Sequence, residues 1–281
     1  MSLSADIVGY QGSVFQHTLD ERWSMAYAAS LNDMAPCYLD NANEKRISTH
    51  PVFPVCVEWP AIVESLGANN IDMRNTVHAT HDLQILRPMR PTMELETSAI
   101  IIGVEQRKPG VYLGWRLDTY DSLGELVCRT YQGNLFLRSQ LDGDGYWMEE
   151  MPAVPNYDPA NSMSSGIAID VPANLGHTYT ECARIWNPIH SDLATARDAG
   201  LKMPLLHGTA SLALATSAVI NELLETETRV TRISGRFSGM VMMPSTLKVK
   251  TSQKDQDSVI FFEVVNTSQQ VVISDGCIVV A

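Results

Sequence analysis

Basic residues are the scarce charge in this chain. Its 281 residues carry 20 Lys plus Arg against 32 Asp plus Glu, a formal net charge of −12. A field of that sign disfavours nucleic acid as a partner. It does not exclude an anionic ligand, because a few local Arg or Lys can oppose it. No apolar run reaches the ~20 residues that span a bilayer, so the sequence predicts no membrane partner. The first residues lack a basic region followed by an apolar core, which predicts no secretory leader. Cysteine is sparse and odd in number: Cys37, Cys56, Cys128, Cys182 and Cys277, with no C-x-x-C pair. These read as reduced, mostly buried thiols of a cytoplasmic protein. A Gly-rich phosphate loop and a Gly-x-Ser-x-Gly elbow are both missing. His78 and His81 stand close together, but no Cys, Asp or Glu completes a plausible metal set, so no metal is expected.

What is present reads as globular: 45 % hydrophobic and 19 % charged residues. The length suits one large or two ordinary domains. Residues 20–40 predict a helix and a turn. Asp20 is placed to cap it, Trp23, Tyr27 and Leu31 share a face, and Pro36 ends it. Residues 51–66 predict a second apolar helix, starting or kinking at Pro60. From Val77 the pattern alternates, with turn signals at Arg87-Pro88, Pro109-Gly110 and Ser122-Leu123-Gly124, predicting an antiparallel meander. Residues 146–167 lack a sustained period and read as a linker between an N-terminal unit, 1–145, and a C-terminal unit, 168–281.

After the linker the order repeats. Tyr179 to Asn187 resembles Tyr27 to Ala35, an apolar helix runs from about Leu205 to Leu224, and four strands follow. A period of half the chain is a duplication and not a solenoid. The helix containing TASLALATSAVI is apolar on nearly every side, as a helix enclosed by a sheet must be. The plan resembles the hot-dog fold, in which an antiparallel sheet wraps around a central helix; the resemblance implies an α+β chain of two tandem hot-dog folds joined as an intrachain pseudo-dimer.

The stretch from Arg184 to Gly208 concentrates the chemistry. Asn187-Pro188-Ile189-His190 is a polar turn with φ fixed at Pro188. Ser191 is placed to cap a short helix after it, and Gly200 to close that helix. Pro204-Leu205-Leu206-His207-Gly208 then leads into the long apolar helix, whose first N–H groups are ready donors for an oxyanion. A histidine titrates near neutrality and can take and return a proton.

This stretch resembles the signature of the MaoC-like hydratase/dehydratase family, which includes the (R)-specific enoyl-CoA hydratases. The family pattern is Gly-Asp-x-Asn-Pro-(Ile/Leu/Val)-His, then Pro-x-x-His-Gly. Asn187, Pro188, Ile189, His190, Pro204, His207 and Gly208 match it. The resemblance implies reversible addition of water across the 2,3 bond of an acyl thioester, with no cofactor because the thioester is the electron sink. It assigns His190 to the attacking water, Asn187 to its orientation and the Gly208 N–H to the thioester oxygen. His207 and Pro204 shape the substrate turn. The implied ligand is an acyl-CoA or acyl-carrier-protein thioester, and the implied assembly a monomeric pseudo-dimer or a homodimer.

The chain departs from the pattern where the family places its catalytic Asp and the preceding Gly. Ile185 and Arg184 stand there. The first repeat has the opposite defect: Asp33-Met34-Ala35-Pro36-Cys37-Tyr38 keeps the Asp but has Ala35 and Tyr38 in place of Asn and His. Glu181, one turn before Ile185, is one substitute carboxylate. Asp33 reaching across the pseudo-dimer is a second, and a His190 working without a carboxylate is the third possibility. Arg184 can grip a carboxylate forkwise, which would suit a dicarboxylic, mesaconyl-type acyl-CoA. Two rival readings stay open: a hot-dog acyl-CoA thioesterase, and a non-catalytic acyl-thioester-binding subunit.

Overall fold

The computed structural model describes residues 2–42, 47–73, 76–158, 162–225, 228–252 and 258–281. The first repeat runs β1 (Ser2–Ser4), β2 (Phe15–Thr18), α1 (Glu21–Ser30), α2 (Pro36–Leu39) and α3 (Pro54–Ala68). Strands β3 (Thr76–Ile85), β4 (Glu94–Arg107), β5 (Gly110–Asp121) and β6 (Leu126–Leu137) form its meander, followed by the short β7 (Gln140–Asp142) and β8 (Tyr146–Trp147). The second repeat runs β9 (Ile167–Val171), α4 (Leu175–Ala183), α5 (Leu193–Asp198), α6 (Gly208–Leu223), β10 (Val230–Phe237), β11 (Ser245–Thr251), β12 (Val259–Asn266) and β13 (Val271–Val280).

Local chemistry sets the helix ends. The Asp20 carboxylate accepts from the Trp23 N–H at 2.7 Å and starts α1. Asn32, at φ 55°, turns the chain out of it. Pro54 opens α3 at its first turn, where a missing N–H costs nothing. Pro60 lies inside α3 rather than at its start, flanked by the buried Val57 and Ala61, so core packing carries the helix through the break. Helix α6 begins at Gly208, three residues later than the apolar pattern suggests, because Leu205 and Leu206 are first used in strand-like pairing with Met242 and Val241. Residues 210 to 217 of α6 are buried without interruption, Leu212 and Leu214 included.

Eleven strands form one antiparallel sheet in the order β2-β4-β5-β6-β3-β10-β13-β12-β11-β9, with β8 paired to β4. The seam between the repeats is β3 against β10, where Leu83 pairs Ile233 and His81 pairs Gly235. Leu83 also pairs Thr130 of β6. Cross-strand partners share a face. Thr130 bonds Glu58 of α3, and Gly235 lies against Leu212 of α6. Both central helices therefore lie on the same, inner face of the joined sheet. One hydrophobic cluster runs through both repeats, from Trp23 and Phe53 to Ile233 and Ile278. The two Tyr hydroxyls that mark the repeat, Tyr27 on α1 and Tyr179 on α4, meet at 3.3 Å.

The connecting segment crosses the outer face. Arg232 holds Asp82 forkwise at 2.7 Å and 2.7 Å and also donates to the Ala153 carbonyl at 2.8 Å. Tyr157 packs on Phe261. Residues 159–161 of this linker lie outside the described residues.

Candidate active site

Asn187 caps a single 3-10 turn, Pro188–His190, its side-chain oxygen accepting from the Ile189 N–H at 3.3 Å. Asp192, not Ser191, caps α5: its two carboxylate oxygens take the Ala194 and Thr195 N–H groups, which one hydroxyl cannot do. Gly200, at φ 81°, closes that helix. The turn is tied to the segment before α6 by a Leu205 N–H to Ile189 carbonyl bond and by the His190 ring itself.

His190 Nδ1 lies 2.9 Å from the Leu205 carbonyl. A carbonyl only accepts, so Nδ1 carries the proton and Nε2 is the lone-pair nitrogen. Burial pushes the His190 pKa down to about 4, partly offset by that hydrogen bond. The ring is thus neutral at physiological pH. It stacks on the His207 ring, centroids 3.7 Å apart and planes 26° apart. His207 is buried, and its Nε2 donates to the Ile185 carbonyl at 3.3 Å with Thr180 Oγ1 also at 3.3 Å. Burial, then the neighbouring His190, hold its pKa well below the ordinary value. His207 supports the His190 ring from behind.

Gly208 is the first residue of α6, and the N–H groups of a first helical turn have no partner within the helix. A Cβ on Gly208 would lie 3.3 Å from the Phe237 ring, tighter than ordinary contact. Glycine lets β10 approach the helix end. The lone pair of His190, the Asn187 amide and the α6 N-terminus thus lie within one tied segment, a set that can supply a base, an orienting group and an anion site.

The other residues singled out in the sequence are placed elsewhere. Pro204 is buried behind the turn. Glu181 is exposed on α4. Arg184 ends α4 in the left-handed conformation, φ 58°, and its guanidinium lies 3.7 Å over the Trp23 ring, whose indole N–H donates to the Cys182 carbonyl. Asp33 is buried against the far end of α6, accepting from Asn221 Nδ2 at 3.3 Å. Asn221 lies roughly 20 Å along the helix from Gly208 at 1.5 Å per residue. The structure does not bring Asp33 and His190 together.

Beside Asp33 stands a residue the sequence reading passed over. His50 is buried, accepts the Val52 N–H at Nδ1 and donates from Nε2 to Ser217 of α6 at 3.0 Å. Its ring lies 5.6 Å from Tyr27 and 5.7 Å from Tyr38, as His207 lies 5.0 Å from Tyr179 and stacks on His190. His50 is therefore the first repeat's counterpart of His207. The available signal was its place just ahead of the Pro-rich entry to α3.

Comparison with known proteins agrees with this geometry. Residues 178–275 match the MaoC like domain, and residues 7–130 match the FAS1-like dehydratase domain region. The chain is 28 % identical over 186 residues to the peroxisomal enoyl-CoA hydratase 2 of Arabidopsis thaliana, a match covering 61 % of this chain and 58 % of that enzyme. Its fold is similar to a MaoC-like dehydratase from Phytophthora capsici, with a TM-score of 0.86, 19 % identity, and coverage of 99 % and 98 % of the two chains. It is also similar to a conserved hypothetical protein from Mycobacterium tuberculosis with a double hot-dog fold, at a TM-score of 0.67, 17 % identity, and coverage of 97 % and 96 %. The chain carries a MaoC-like dehydratase domain behind a FAS1-like dehydratase region, and its fold is that of the double hot-dog proteins.

Proposed function

We propose that this chain is a hydro-lyase that adds water to, or removes it from, the 2,3 bond of an acyl-CoA thioester at the His190 site. The observation that carries this is the tautomer of His190: Nδ1–H fixed on the Leu205 carbonyl and Nε2 free as the base, beside the N-terminus of α6. Water held by Asn187 gives its proton to Nε2 as it attacks C3. Electron density moves to the thioester oxygen, which the Gly208 N–H stabilises. The proton then returns to C2. A single oxyanion donor is worth on the order of 10²–10³ in rate, and a general base ~10²–10⁴. The thioester is its own electron sink, so the reaction needs no metal or cofactor.

The same geometry supports a His190 that works without a protein carboxylate. Ile185 offers only its backbone carbonyl, and that is taken by His207. Glu181 faces solvent, and Asp33 is a helix length away. Arg184 stacks on Trp23 through its flat face, which leaves its edge N–H groups to a second carboxylate, so a dicarboxylic, mesaconyl-type substrate stays part of the proposal. Among the described residues no helix is long and apolar enough to cross a membrane. The compartment, cytoplasmic on composition, belongs to the proposal, as does a pseudo-dimer that needs no second chain.

Loss of enoyl-thioester absorbance, followed together with thiol release, tests the assignment. Loss without free thiol is hydration. Free thiol in step with substrate loss makes the chain a thioesterase, and binding with neither makes it a binding subunit.

A further inference from the structure

On the inner face of the seam lies a histidine that hydration does not use. His81 is 1 % exposed, and among the described residues neither ring nitrogen has a hydrogen-bond partner. A neutral imidazole offers one N–H and one lone pair, and leaving both unmet forfeits their hydration. The register partner of His81 on β10 is Gly235, which contributes no side chain and sits against Leu212, one turn into α6. On its other flank, the Gln132 amide of β6 donates to Asn134 Oδ1 at 3.0 Å, so the patch beside His81 is polar.

This patch connects with the proposed oxyanion donor. Two residues along β10, about 7 Å away, the Phe237 ring lies beside Gly208 and 4.6 Å from the His78 ring. His78 and His81 meet edge to face at 5.3 Å. A row of contacts thus runs from Gly208 through Phe237 and His78 to the unpartnered imidazole. The corresponding inner face of the second repeat is apolar, built from residues such as Ile233, Phe262, Val264, Ile273 and Ile278. A purely hydrocarbon acyl chain has no use for the polar half.

We propose that His81 recognises an uncharged oxygen substituent, a hydroxyl or a carbonyl, on the acyl part of the thioester bound at the His190 site. The proposal rests on that site binding acyl thioesters. Burial lowers the His81 pKa to about 4, so the ring meets its ligand neutral. A hydroxyl can complement either nitrogen, whereas a carboxylate would find no counter-charge in this ring.

The test is calorimetric, on the full chain, with saturated acyl-CoAs in length-matched pairs, one alkyl and one with a terminal hydroxyl, over short, medium and long chains. The expected result is a hydroxylated ligand, at one chain length, binding about tenfold more tightly than its alkyl partner. His81→Leu abolishes that contrast and leaves alkyl affinity within threefold. His81→Gln, which keeps a donor and an acceptor, restores part of it, and this separates recognition from a folding defect. Equal affinities at every length in the wild type, or a contrast that survives His81→Leu, overturns the proposal. Hydration of the matching enoyl pair is read separately. A binding contrast without hydration upholds the recognition and overturns the hydratase reading, whereas hydration without any contrast overturns the recognition alone.

Discussion

The two repeats build the same corner twice and furnish it differently. In the second repeat, His190 lies on His207, His207 lies against Tyr179, and the α6 N-terminus stands beside them. In the first, Tyr38 lies near His50 and His50 near Tyr27, beside the Pro-opened start of α3. The first corner is closed: Asp33, Tyr38 and His50 are all buried, and both His50 nitrogens are occupied by Val52 and Ser217. The second is partly open at His190 and leaves Nε2 as acceptor. The comparison teaches that a duplicated fold can keep one copy of a polar corner as packing and the other for chemistry. The backbone takes Nδ1 in both corners; the difference is that Ser217 occupies the Nε2 of His50, whereas the Nε2 of His190 is left as an acceptor.

The largest expected contrast comes from the paired histidines. His207→Ala removes the ring beneath His190 and should lower the hydration rate by about 10–100-fold, since small displacements of a base are costly. His50→Ala should leave the rate within about twofold while lowering the melting temperature, because it strips Ser217 and Val52 of buried partners. Steady-state kinetics with thermal unfolding on both variants separates the corners. Equal kinetic losses would erase the distinction.

A pH profile sharpens it. A base must be deprotonated to act, and His190 titrates at about 4 in the fold. The rate should therefore stay level from neutral pH down to about 5.5 and fall only below that. A limb near 6.5 would mean a solvated imidazole. Stability should follow the same sign. His50, His78, His81, His190 and His207 all have lowered folded values, so their contribution is full above the unfolded value of 6.5 and is lost as pH falls toward about 4. Glu58 opposes them. Burial raises it to about 7, so its contribution is lost as pH rises from 4.5 through 7. With His17, which burial also lowers, six histidines against one carboxyl should give a melting temperature that drops on acidification below 6.5.

The smallest effects are expected from the candidate carboxylates. Glu181→Gln and Asp33→Asn should each change the hydration rate by less than about twofold, the first because the side chain is exposed, the second because it is roughly 20 Å from the α6 N-terminus. The sequence alone makes Glu181 the more damaging loss, since helical spacing brings it near Ile185. A tenfold fall in either variant, measured with unchanged melting temperature, would restore a carboxylate to the mechanism.

Much of the architecture was legible before any coordinates. The Asp20 cap, the Asn32 to Pro36 break, the unbroken apolar run of α6 and the repetition of Tyr27 as Tyr179 are local signals with one physical reading each. The resemblance around Asn187 to Gly208 pointed to one corner, and the structure brings His190, His207 and the start of α6 together there. Other features depend on contacts between distant segments. Glu58 reads as a blemish in an apolar helix, and only the fold puts it on Thr130. Arg184 reads as a carboxylate ligand, and only the fold adds that its backbone is left-handed and that its guanidinium stacks on the Trp23 face. His78 and His81 read as an incomplete metal pair. Their meaning comes from Gly235, which reaches them only through the seam. His50 carried no motif and is defined by Ser217, supplied by the other repeat's helix.

The measurement that bears most directly on the central claim is His190→Ala, assayed for hydration of a short enoyl-CoA and, in parallel, for binding of the saturated acyl-CoA by calorimetry. The account predicts a rate loss of about 10² or more, from removal of the proposed general base, with affinity within about threefold. A variant that still hydrates at the wild-type rate, or a wild-type chain that binds the thioester and never hydrates it, would contradict it.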